Sequence, residues 1–197
     1  MTTPGTARDR AKAARTDAIL SAAAELFAAR GYTGVSLEDI GAAVGVSGPA
    51  VYRHFAGKQA LLGALLIGVS ERLVAGGQDV SSGAASEQDR MRALVVFHVD
   101  FALGNADVIR VQDRDFVYLT DESRADVRRL QRAYIELWID SLAALVADDR
   151  DALRLRVQAC FGLLNSTPHS TSTALRARVD TARLLTAMAL SALLAGS

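Results

Sequence analysis

The sequence predicts an all-α protein. Apolar residues recur every three or four positions along most of the 197-residue chain, which is the spacing of a helix that buries one face. The strict apolar–polar alternation of a half-buried strand is absent, and 50% of the residues are hydrophobic, enough for a sizeable core without metals or disulfides. These observations predict about nine helices, in an N-terminal domain of residues 1–58 and a larger C-terminal domain of residues 59–197.

The first domain is predicted to contain three helices. The first of them carries an apolar stripe made of Ile19, Leu20, Ala23, Leu26 and Phe27. Two short helices then fold around a turn at Gly45, because glycine tolerates the left-handed backbone of a sharp turn. Ser36 is predicted to cap the first short helix in a capping box with Asp39, and Ser47 to cap the second, with Pro49 in its first turn.

The rest of the chain is predicted to form helices joined by turns. Their predicted bounds are 58–75, 87–103, 107–119, 122–146, 151–166 and 173–194. Gly76 and Gly77, followed by the small residues of 81–86, are expected to end the first of these, because glycine weakens a helix interior. Thr167, Pro168 and His169 are expected to form the turn before the last helix.

Charge and cysteine content narrow the class of function. The chain has 22 basic and 22 acidic residues, yet basic side chains cluster around the second short helix and near the N-terminus. The N-terminal cluster comprises Arg8, Arg10, Lys12 and Arg15. It is either a solvated, disordered end or an arm that enters a DNA minor groove, and the sequence leaves both open. The single Cys160 lies in an apolar run, which predicts a buried, inert thiol.

Other function classes lack their sequence signatures. Residues 1–17 are polar and contain no signal-peptide core, and the apolar run at 184–195 is too short to span a bilayer, so a cytoplasmic protein without membrane contact is expected. His54, His98 and His169 do not form a metal-binding or catalytic set by spacing, and no Ser/His/Asp arrangement or phosphate-binding glycine loop is present. We therefore expect no enzyme activity, no metal and no cofactor.

Residues 36–55 resemble the helix-turn-helix of the TetR family of bacterial transcriptional regulators. The positions that match the family pattern are Ile40, Gly45, Val46, Ser47, Tyr52, His54, Phe55, Lys58 and Leu61. Gly41 and Val44 depart from it, since alanine is usual at both positions. The resemblance covers residues 10–65 in motif detail, and the remainder agrees in length and helical character. It implies a homodimeric DNA-binding regulator, and repression is the usual mode of the family.

The resemblance places the second short helix in a DNA major groove. The predicted DNA-binding residues are Thr33, Ser36, Ser47, Gly48, Pro49, Ala50, Tyr52, Arg53, His54 and Lys58. The first three residues of the helix carry no hydrogen-bonding side chain, which limits base reading there to backbone approach and contact with thymine methyl groups. Arg53 suits either a guanine or a phosphate, and the resemblance implies DNA-backbone contacts for Tyr52, His54 and Lys58. Packing on the first helix is the alternative for Tyr52, a structural role for His54 and a solvated charge for Arg53.

The two terminal helices are apolar on more than one face, so each needs more cover than its own domain gives. In the resemblance these helices pair with their copies in a four-helix interface, which implies a two-fold dimer and a palindromic operator. The predicted interface residues are Leu153, Val157, Phe161, Leu164, Val179, Leu185, Met188 and Leu193. The alternative is that part of each helix belongs to the ordinary core.

The middle helices hold most of the aromatic residues, and family members use this region for a small-molecule effector. The predicted pocket residues are Phe97, His98, Phe101, Phe116, Tyr118, Tyr134, Trp138, Asn165 and His169. An aromatic stripe is also typical of a core, which is the alternative for each residue taken singly. The segment 165–169 also resembles, more faintly, actinobacterial relatives tied to lipid and acyl-CoA metabolism, so a lipophilic or acyl-type effector is expected.

The effector is expected to tilt the helix that begins at Lys58, which links the two domains. This tilt would change the separation of the two recognition helices, which must lie about 34 Å apart to enter successive major grooves. A dimeric DNA-binding protein without an inducer is one alternative function. A small-molecule enzyme with an aromatic pocket is the other.

Overall fold

The computed structural model describes residues 6–195, and this part of the chain is helical, without a β-strand. Its helices are α1 (Ala7–Arg30), α2 (Leu37–Ala43), α3 (Gly48–Tyr52), α4 (Lys58–Ser82), α5 (Glu87–Gly104), α6 (Ala106–Asp115), α7 (Asp121–Ala143), α8 (Arg150–Asn165), α9 (Thr167–Ser170), α10 (Thr173–Arg176) and α11 (Val179–Leu193). A 3₁₀ turn, Phe116–Tyr118, follows α6. The all-α prediction is confirmed. The one-turn helix α9 lies where a turn is predicted, and the one-turn helix α10 is the separate first part of the predicted last helix.

The helices enclose two apolar cores. The first lies between α1, α2, α3, the first half of α4 and α6, and Phe27, Ile40 and Leu61 are among its fully buried side chains. The second lies between α5, α7, α8 and α11 around Trp138 and Leu153. Because α4 contributes to both cores, it connects the N-terminal helices to the C-terminal ones. The domain boundary at residues 58 and 59 stays a prediction, since the first core draws on side chains from both sides of it.

Helix α4 runs to Ser82, beyond its predicted end at residue 75, and it contains Gly76 and Gly77. A Cβ atom at Gly76 would lie 2.4 Å from Phe97 Cζ, and one at Gly77 would lie 2.8 Å from Tyr134 Cε2. These glycines therefore allow α5 and α7 to approach α4 closely. The predicted helix end was wrong because local propensity contains no information about which neighbour packs against a glycine.

Helix α4 is also, among the described residues, the helix with the length and apolar composition of a membrane span. It packs against α7, α5 and α1, and 44% of its most apolar stretch is buried inside the protein. The core helix of a soluble protein meets the same criteria, so this finding is weak support for a membrane span.

The segment between α8 and α11 is more broken than predicted. The last helix starts at Val179 instead of residue 173. The Ser172 hydroxyl caps α10 by accepting a hydrogen bond from the Leu175 amide, and the Thr181 hydroxyl donates to the Leu175 carbonyl. Side chains thus replace main-chain bonds at this break, which a pattern of apolar residues does not reveal.

Candidate nucleic-acid interface and effector region

The turn between α2 and α3 is built by local interactions. The Ser36 hydroxyl accepts from the Asp39 amide at 3.0 Å, and the Asp39 carboxylate accepts from the Ser36 amide at 2.8 Å, which completes the predicted capping box. Gly45 has the predicted left-handed backbone, with a φ of +69°. At Gly41 a Cβ atom would lie 2.8 Å from the Val46 carbonyl oxygen. The glycine that departs from the family pattern therefore permits a close approach of the turn to α2.

Helix α3 presents an exposed outer side. The predicted DNA-binding residues that are exposed are Thr33, Ser47, Pro49, Tyr52 and Arg53. Ser36, Ala50, His54 and Lys58 are half-buried, and Gly48 is buried beneath the Glu38 side chain. Ser47 occupies the N-cap position, but its hydroxyl makes no capping hydrogen bond, which corrects the prediction. That hydroxyl is left free to contact an external group.

The polar groups of His54 and Lys58 are directed at the protein. The Thr16 hydroxyl on α1 lies 3.0 Å from His54 Nδ1. Lys58 Nζ donates to the carbonyl oxygens of Tyr32 and Val35, each at 2.8 Å, and lies 4.5 Å from the centre of the Tyr32 ring. Lys58 therefore fastens the start of α4 to the turn that precedes α2. Their contacts with DNA stay predictions.

A second connection joins α6 to the N-terminal helices. The Arg114 guanidinium donates to the Phe27 carbonyl, in the last turn of α1, and pairs at 2.9 Å with Asp115, whose side chain is 2% exposed. Just beyond α6, the Tyr118 ring stacks on Tyr32 at 4.7 Å. The end of α6 is thus tied to the end of α1 and to the turn held by Lys58.

An aromatic cluster surrounds His98, with Tyr134, Trp138 and Phe161 in the second core and Phe101 packed against the first. Its rings lie 4.6 to 6.1 Å apart and belong to His98, Phe101, Tyr134, Trp138 and Phe161. His98 Nε2 is 3.2 Å from Asn165 Oδ1, and the Tyr134 hydroxyl is 3.4 Å from His98 Nδ1. The structure therefore brings together five of the predicted pocket residues. Phe161, predicted for the dimer interface, belongs to the same cluster.

Burial controls the chemistry of this cluster. It lowers the pKa of His98 to about 4, against the opposing effect of the Asn165 hydrogen bond, so the imidazole is neutral at pH 7. Burial also raises the pKa of the Tyr134 hydroxyl, and raises that of the neighbouring Cys160 thiol to about 12, as a buried, inert thiol requires. The indole N–H of Trp138 is buried and has no hydrogen-bond partner among the described residues.

A cavity of about 530 Å³ lies outside the cluster, between α4 and α5. Phe97 and Phe101 form its aromatic wall, and the rest of its lining includes Gly76, Arg72, Asp100 and Asn105. Arg72 makes no ion pair within the described residues. Phe101 lies both in this wall and beside His98, so a movement of its ring would connect the cavity with the cluster.

The remaining predicted pocket residues lie elsewhere. Phe116 packs against the first core beneath Arg128, whose guanidinium is 5.6 Å from the ring centre, and Tyr118 is 38% exposed against Tyr32. His169 is exposed on α9 and lies 2.9 Å from an Asp113 carboxylate oxygen on α6. These three residues were grouped by their chemical type, but the helix connections separate them from the His98 cluster.

The exposed apolar face of α8 and α11 differs from the predicted interface. The predicted residues that are instead buried in the chain's own core are Leu153, Val157, Leu164, Leu185 and Leu193. Val179 and Met188 are exposed, whereas Phe161 is half-buried. Leu155 and Leu184 are 68% and 61% exposed, and sequence reasoning missed both. Both helices are apolar on several faces, so only their packing against α5 and α7 decides which face stays outside.

A helix-turn-helix with an exposed second helix, joined to a larger helical domain, defines the class of helical DNA-binding regulators. The comparisons give the family. Residues 19–65 match the family model described as bacterial regulatory proteins, tetR family, and residues 84–169 match that of a tetracyclin repressor-like C-terminal domain. The two matches cover about two thirds of the chain. The chain belongs to the TetR family and is a transcriptional regulator.

Two curated relatives are similar in sequence. The transcriptional repressor KstR2 of Rhodococcus jostii is 24% identical over 168 residues, which cover 85% of this chain and 82% of that protein. The transcriptional activator FasR of Mycolicibacterium smegmatis is 35% identical over 83 residues, which cover 42% of this chain and 38% of that protein. The two relatives act in opposite directions on transcription.

Solved structures share the fold. A TetR-family regulator of Bordetella parapertussis has a TM-score of 0.80 at 23% identity, covering 92% of this chain and 94% of that one. AibR, in complex with isovaleryl coenzyme A and operator DNA, has a TM-score of 0.74 at 20% identity, covering 90% of this chain and 96% of that one. At these identities the likeness establishes the fold.

Proposed function

We propose that this regulator is a cytoplasmic homodimeric repressor that binds a palindromic operator and leaves it when a lipophilic or acyl-type ligand binds the effector region. The observation that carries the proposal is the presence of two exposed surfaces in one chain, the outer side of α3 and the apolar face of α8 and α11. A two-fold DNA-binding dimer requires both. The KstR2 relative, a repressor, supports the direction of regulation, and the AibR complex supports an acyl-type ligand.

In this proposal α3 enters the major groove with Ser47, Pro49, Tyr52 and Arg53 towards the DNA, because these side chains are exposed. The Arg53 side chain has no hydrogen-bond partner among the described residues, which leaves it free for guanine or phosphate. The variant Arg53→Gln separates these roles. Loss of discrimination at a single base pair, by about 1–3 kcal/mol, identifies a guanine contact, whereas uniform weakening with a shallower salt dependence identifies a phosphate contact.

The dimer is proposed to form through α8 and α11. Leu155 and Gly162 lie two helical turns apart on the exposed side of α8, and Leu184 and Met188 lie one turn apart on α11. A Cβ atom at Gly162 would have no neighbour within 4 Å in the chain itself. Gly162→Leu is therefore expected to leave the fold intact and to convert the dimer to monomer in analytical ultracentrifugation. A Gly162→Leu variant that remains fully dimeric would contradict this interface.

The effector is proposed to enter through the cavity between α4 and α5. By moving the Phe101 ring aside, it would reach the His98 cluster. The aromatic wall suits an acyl chain, and Arg72 and Asp100 give the cavity one positively and one negatively charged side chain for its polar end. Inside, the unpartnered Trp138 N–H offers a hydrogen bond to a carbonyl oxygen. A ligand in this position would contact α4, α5 and α7 together.

Two connections would transmit the helix movement caused by the bound ligand to the recognition helix α3. Helix α4 runs from the cavity wall at Arg72 to the anchor at Lys58, and the end of α6 holds α1 through Arg114. The ligand reduces DNA affinity only as far as it prefers the conformation that cannot bind DNA, and couplings of this kind are typically about 1–3 kcal/mol. The boundary at residues 58 and 59, proposed as the domain division, coincides with the Lys58 anchor.

The test uses the full chain and the promoter region of its own gene. Fluorescence anisotropy is expected to detect tighter binding to a palindromic fragment than to random DNA of equal length. Fatty acyl-CoA thioesters of increasing chain length are expected to release the protein from the palindromic fragment. The variant Phe101→Trp narrows the entry, so it is expected to reduce that release without changing DNA affinity. Equal affinity for both DNAs would contradict the operator proposal.

A DNA-binding dimer without an inducer is the second candidate, because the rings of the His98 cluster are in mutual contact. It would be supported if no acyl compound altered operator affinity while selective DNA binding remained. A reporter gene behind the operator determines the direction of regulation. Lower expression with the intact protein supports repression, and higher expression would place the chain with the activator FasR.

A further inference from the structure

A second cavity lies beside α1, and it is called the α1 cleft below. Its volume is about 810 Å³, within the usual size range of small-molecule sites. One wall is α1, and the other is formed by α4, the start of α6 and α10. The cleft shares Arg72 and Asn105 with the cavity between α4 and α5, but its remaining lining residues are different. A molecule bound there would contact the N-terminal helix and the C-terminal helices together.

The α1 wall of the cleft is acidic. Asp17, Ser21 and Glu25 follow one another at intervals of four residues, so they lie along one face of the helix. All three are exposed, and neither carboxylate forms an ion pair or a hydrogen bond within the described residues. At a rise of 1.5 Å per residue, the two carboxylates are about 12 Å apart along the helix axis. This wall therefore offers two unpaired negative charges to a cation.

The opposite wall of the cleft is basic. Its three arginines are Arg72 on α4, Arg110 on α6 and Arg176 on α10. Arg110 pairs with Asp107 at 3.2 Å, so this pair adds no net charge to the cleft. Arg72 and Arg176 form no ion pair within the part of the chain that the structure describes. Two uncompensated arginines therefore lie across the cleft from the two carboxylates of α1.

Apolar side chains form the floor between the charged walls. Leu65 and Val108 line the cleft and are buried in the first core, and Leu20 packs against that core. The Arg72 guanidinium lies close to this floor, since its Nη1 atom is 3.7 Å from the position of a Cβ atom at Gly68, one turn after Leu65 on α4. The α1 cleft thus presents a negative side, an apolar floor and a positive side.

We infer that the α1 cleft binds a zwitterionic small molecule with an apolar middle. The cationic end lies against the α1 carboxylates, the apolar part on the floor, and the anionic end at Arg72 and Arg176. The lining contains three acidic and three basic residues, which disfavours a ligand of high net charge. Their separation onto opposite walls favours opposite charges at the two ends of one molecule. This ligand is additional to the effector of the His98 cluster, so the inference goes beyond the proposed function.

The probe is a leucine tripeptide with free ends, which has an ammonium group and a carboxylate about 10 Å apart when extended. Titration calorimetry of the full chain without DNA is expected to show saturable binding of the tripeptide. The N-acetylated and the C-terminally amidated tripeptides each lack one charge, and each is expected to bind about two- to fivefold more weakly. Equal affinity for all three, or no saturable binding up to about 1 mM, would overturn the inference.

Two glycine variants test where the tripeptide binds. Gly104 lines the cleft, Gly83 follows the end of α4 outside it, and a Cβ atom at either glycine has no neighbour within 4 Å. Both Gly104→Phe and the matched control Gly83→Phe are therefore expected to keep the melting temperature of the unaltered chain. Only Gly104→Phe is expected to abolish tripeptide binding, because its ring fills the cleft. Full binding by folded Gly104→Phe would place the ligand elsewhere and overturn the inference.

A charge variant tests which wall holds the cationic end. The double variant Asp17→Asn, Glu25→Gln is expected to bind the free and the N-acetylated tripeptide equally, because the ammonium group has lost its partners. The matched control Glu71→Gln removes an exposed carboxylate of α4 that does not line the cleft, and it should keep the full difference. An undiminished difference in the double variant would refute the assignment. Since DNA is absent, these outcomes do not depend on operator binding, and the proposed function stands or fails separately.

Discussion

Replacing Lys58 by methionine tests whether this residue holds the protein together or binds DNA. The ammonium group donates to the carbonyl oxygens of Tyr32 and Val35 at 2.8 Å and lies over the Tyr32 ring. Methionine keeps most of the aliphatic length but has no N–H group. If Lys58 acts as an anchor, its loss frees the turn before α2 from the start of α4.

The expected loss of stability follows from the two hydrogen bonds. A bond from a charged donor contributes about 1.5–3 kcal/mol, and the carbonyl groups recover part of this from water because the site is only half-buried. We expect Lys58→Met to lower the free energy of unfolding by about 3 kcal/mol. For a chain of this size that corresponds to a melting temperature lower by roughly 6–12 °C.

Urea unfolding at one fixed protomer concentration measures this loss, because the apparent stability of a dimer depends on concentration. Operator affinity against salt concentration measures the other role. As an anchor, Lys58 contributes nothing to the salt slope, whereas a phosphate contact contributes about 0.9 for each protomer. Arg53→Gln is the matched control, since it removes an exposed charge and should leave stability unchanged. A Lys58→Met variant of unchanged stability and reduced salt slope would refute the anchor.

Three further predictions concern the core and the connection between domains. Burial lowers the pKa of His98 from 6.5 to about 4. The neutral imidazole therefore makes its full contribution to the free energy of unfolding above pH 6.5, and this contribution, at most about 3 kcal/mol, is lost as the pH falls towards 4. Urea unfolding of His98→Gln should lack this pH dependence. Gly77→Ala should destabilise by about 1–3 kcal/mol, because its Cβ meets Tyr134 at 2.8 Å. Gly68→Ala on the same helix should instead stabilise by about 0.5–1 kcal/mol in the same assay, because its Cβ would meet only the end of the Arg72 side chain, at 3.7 Å. Arg114→Met should lower the free energy of unfolding by about 2 kcal/mol, because it leaves the buried Asp115 carboxylate without its partner. Adding Asp115→Asn should recover part of that loss, and full additivity in the double-mutant cycle would contradict the pairing.

The helix-turn-helix was predictable because its determinants are local. Ser36 and Asp39 form the predicted capping box, and Gly45 has the predicted left-handed backbone, all within a few residues of one another. Ser47 was the exception, since Pro49 already removes one amide that a cap would satisfy and the hydroxyl stays unbonded. Interactions across three or four residues are contained in the sequence pattern itself.

The effector region was predictable only as a composition. Aromatic residues of the middle helices were expected to gather, and His98, Tyr134 and Trp138 do. Phe116 and Tyr118 have the same chemistry, but the 3₁₀ turn after α6 carries Phe116 to the first core and Tyr118 to the Tyr32 ring. Residue type does not specify which of two cores a helix end reaches.

The sequence by itself determined that the chain is helical, where its recognition turn lies, and that its cysteine is buried, because caps, turn glycines and apolar periodicity act over short distances. The tertiary structure alone decided the outward face of α8 and α11, the continuation of α4 through Gly77, and the partners of Lys58 and Arg114. Each of these depends on contacts between segments far apart in the chain. A helix that is apolar on every side, or a lysine with several possible acceptors, acquires its role only when its neighbours are in place.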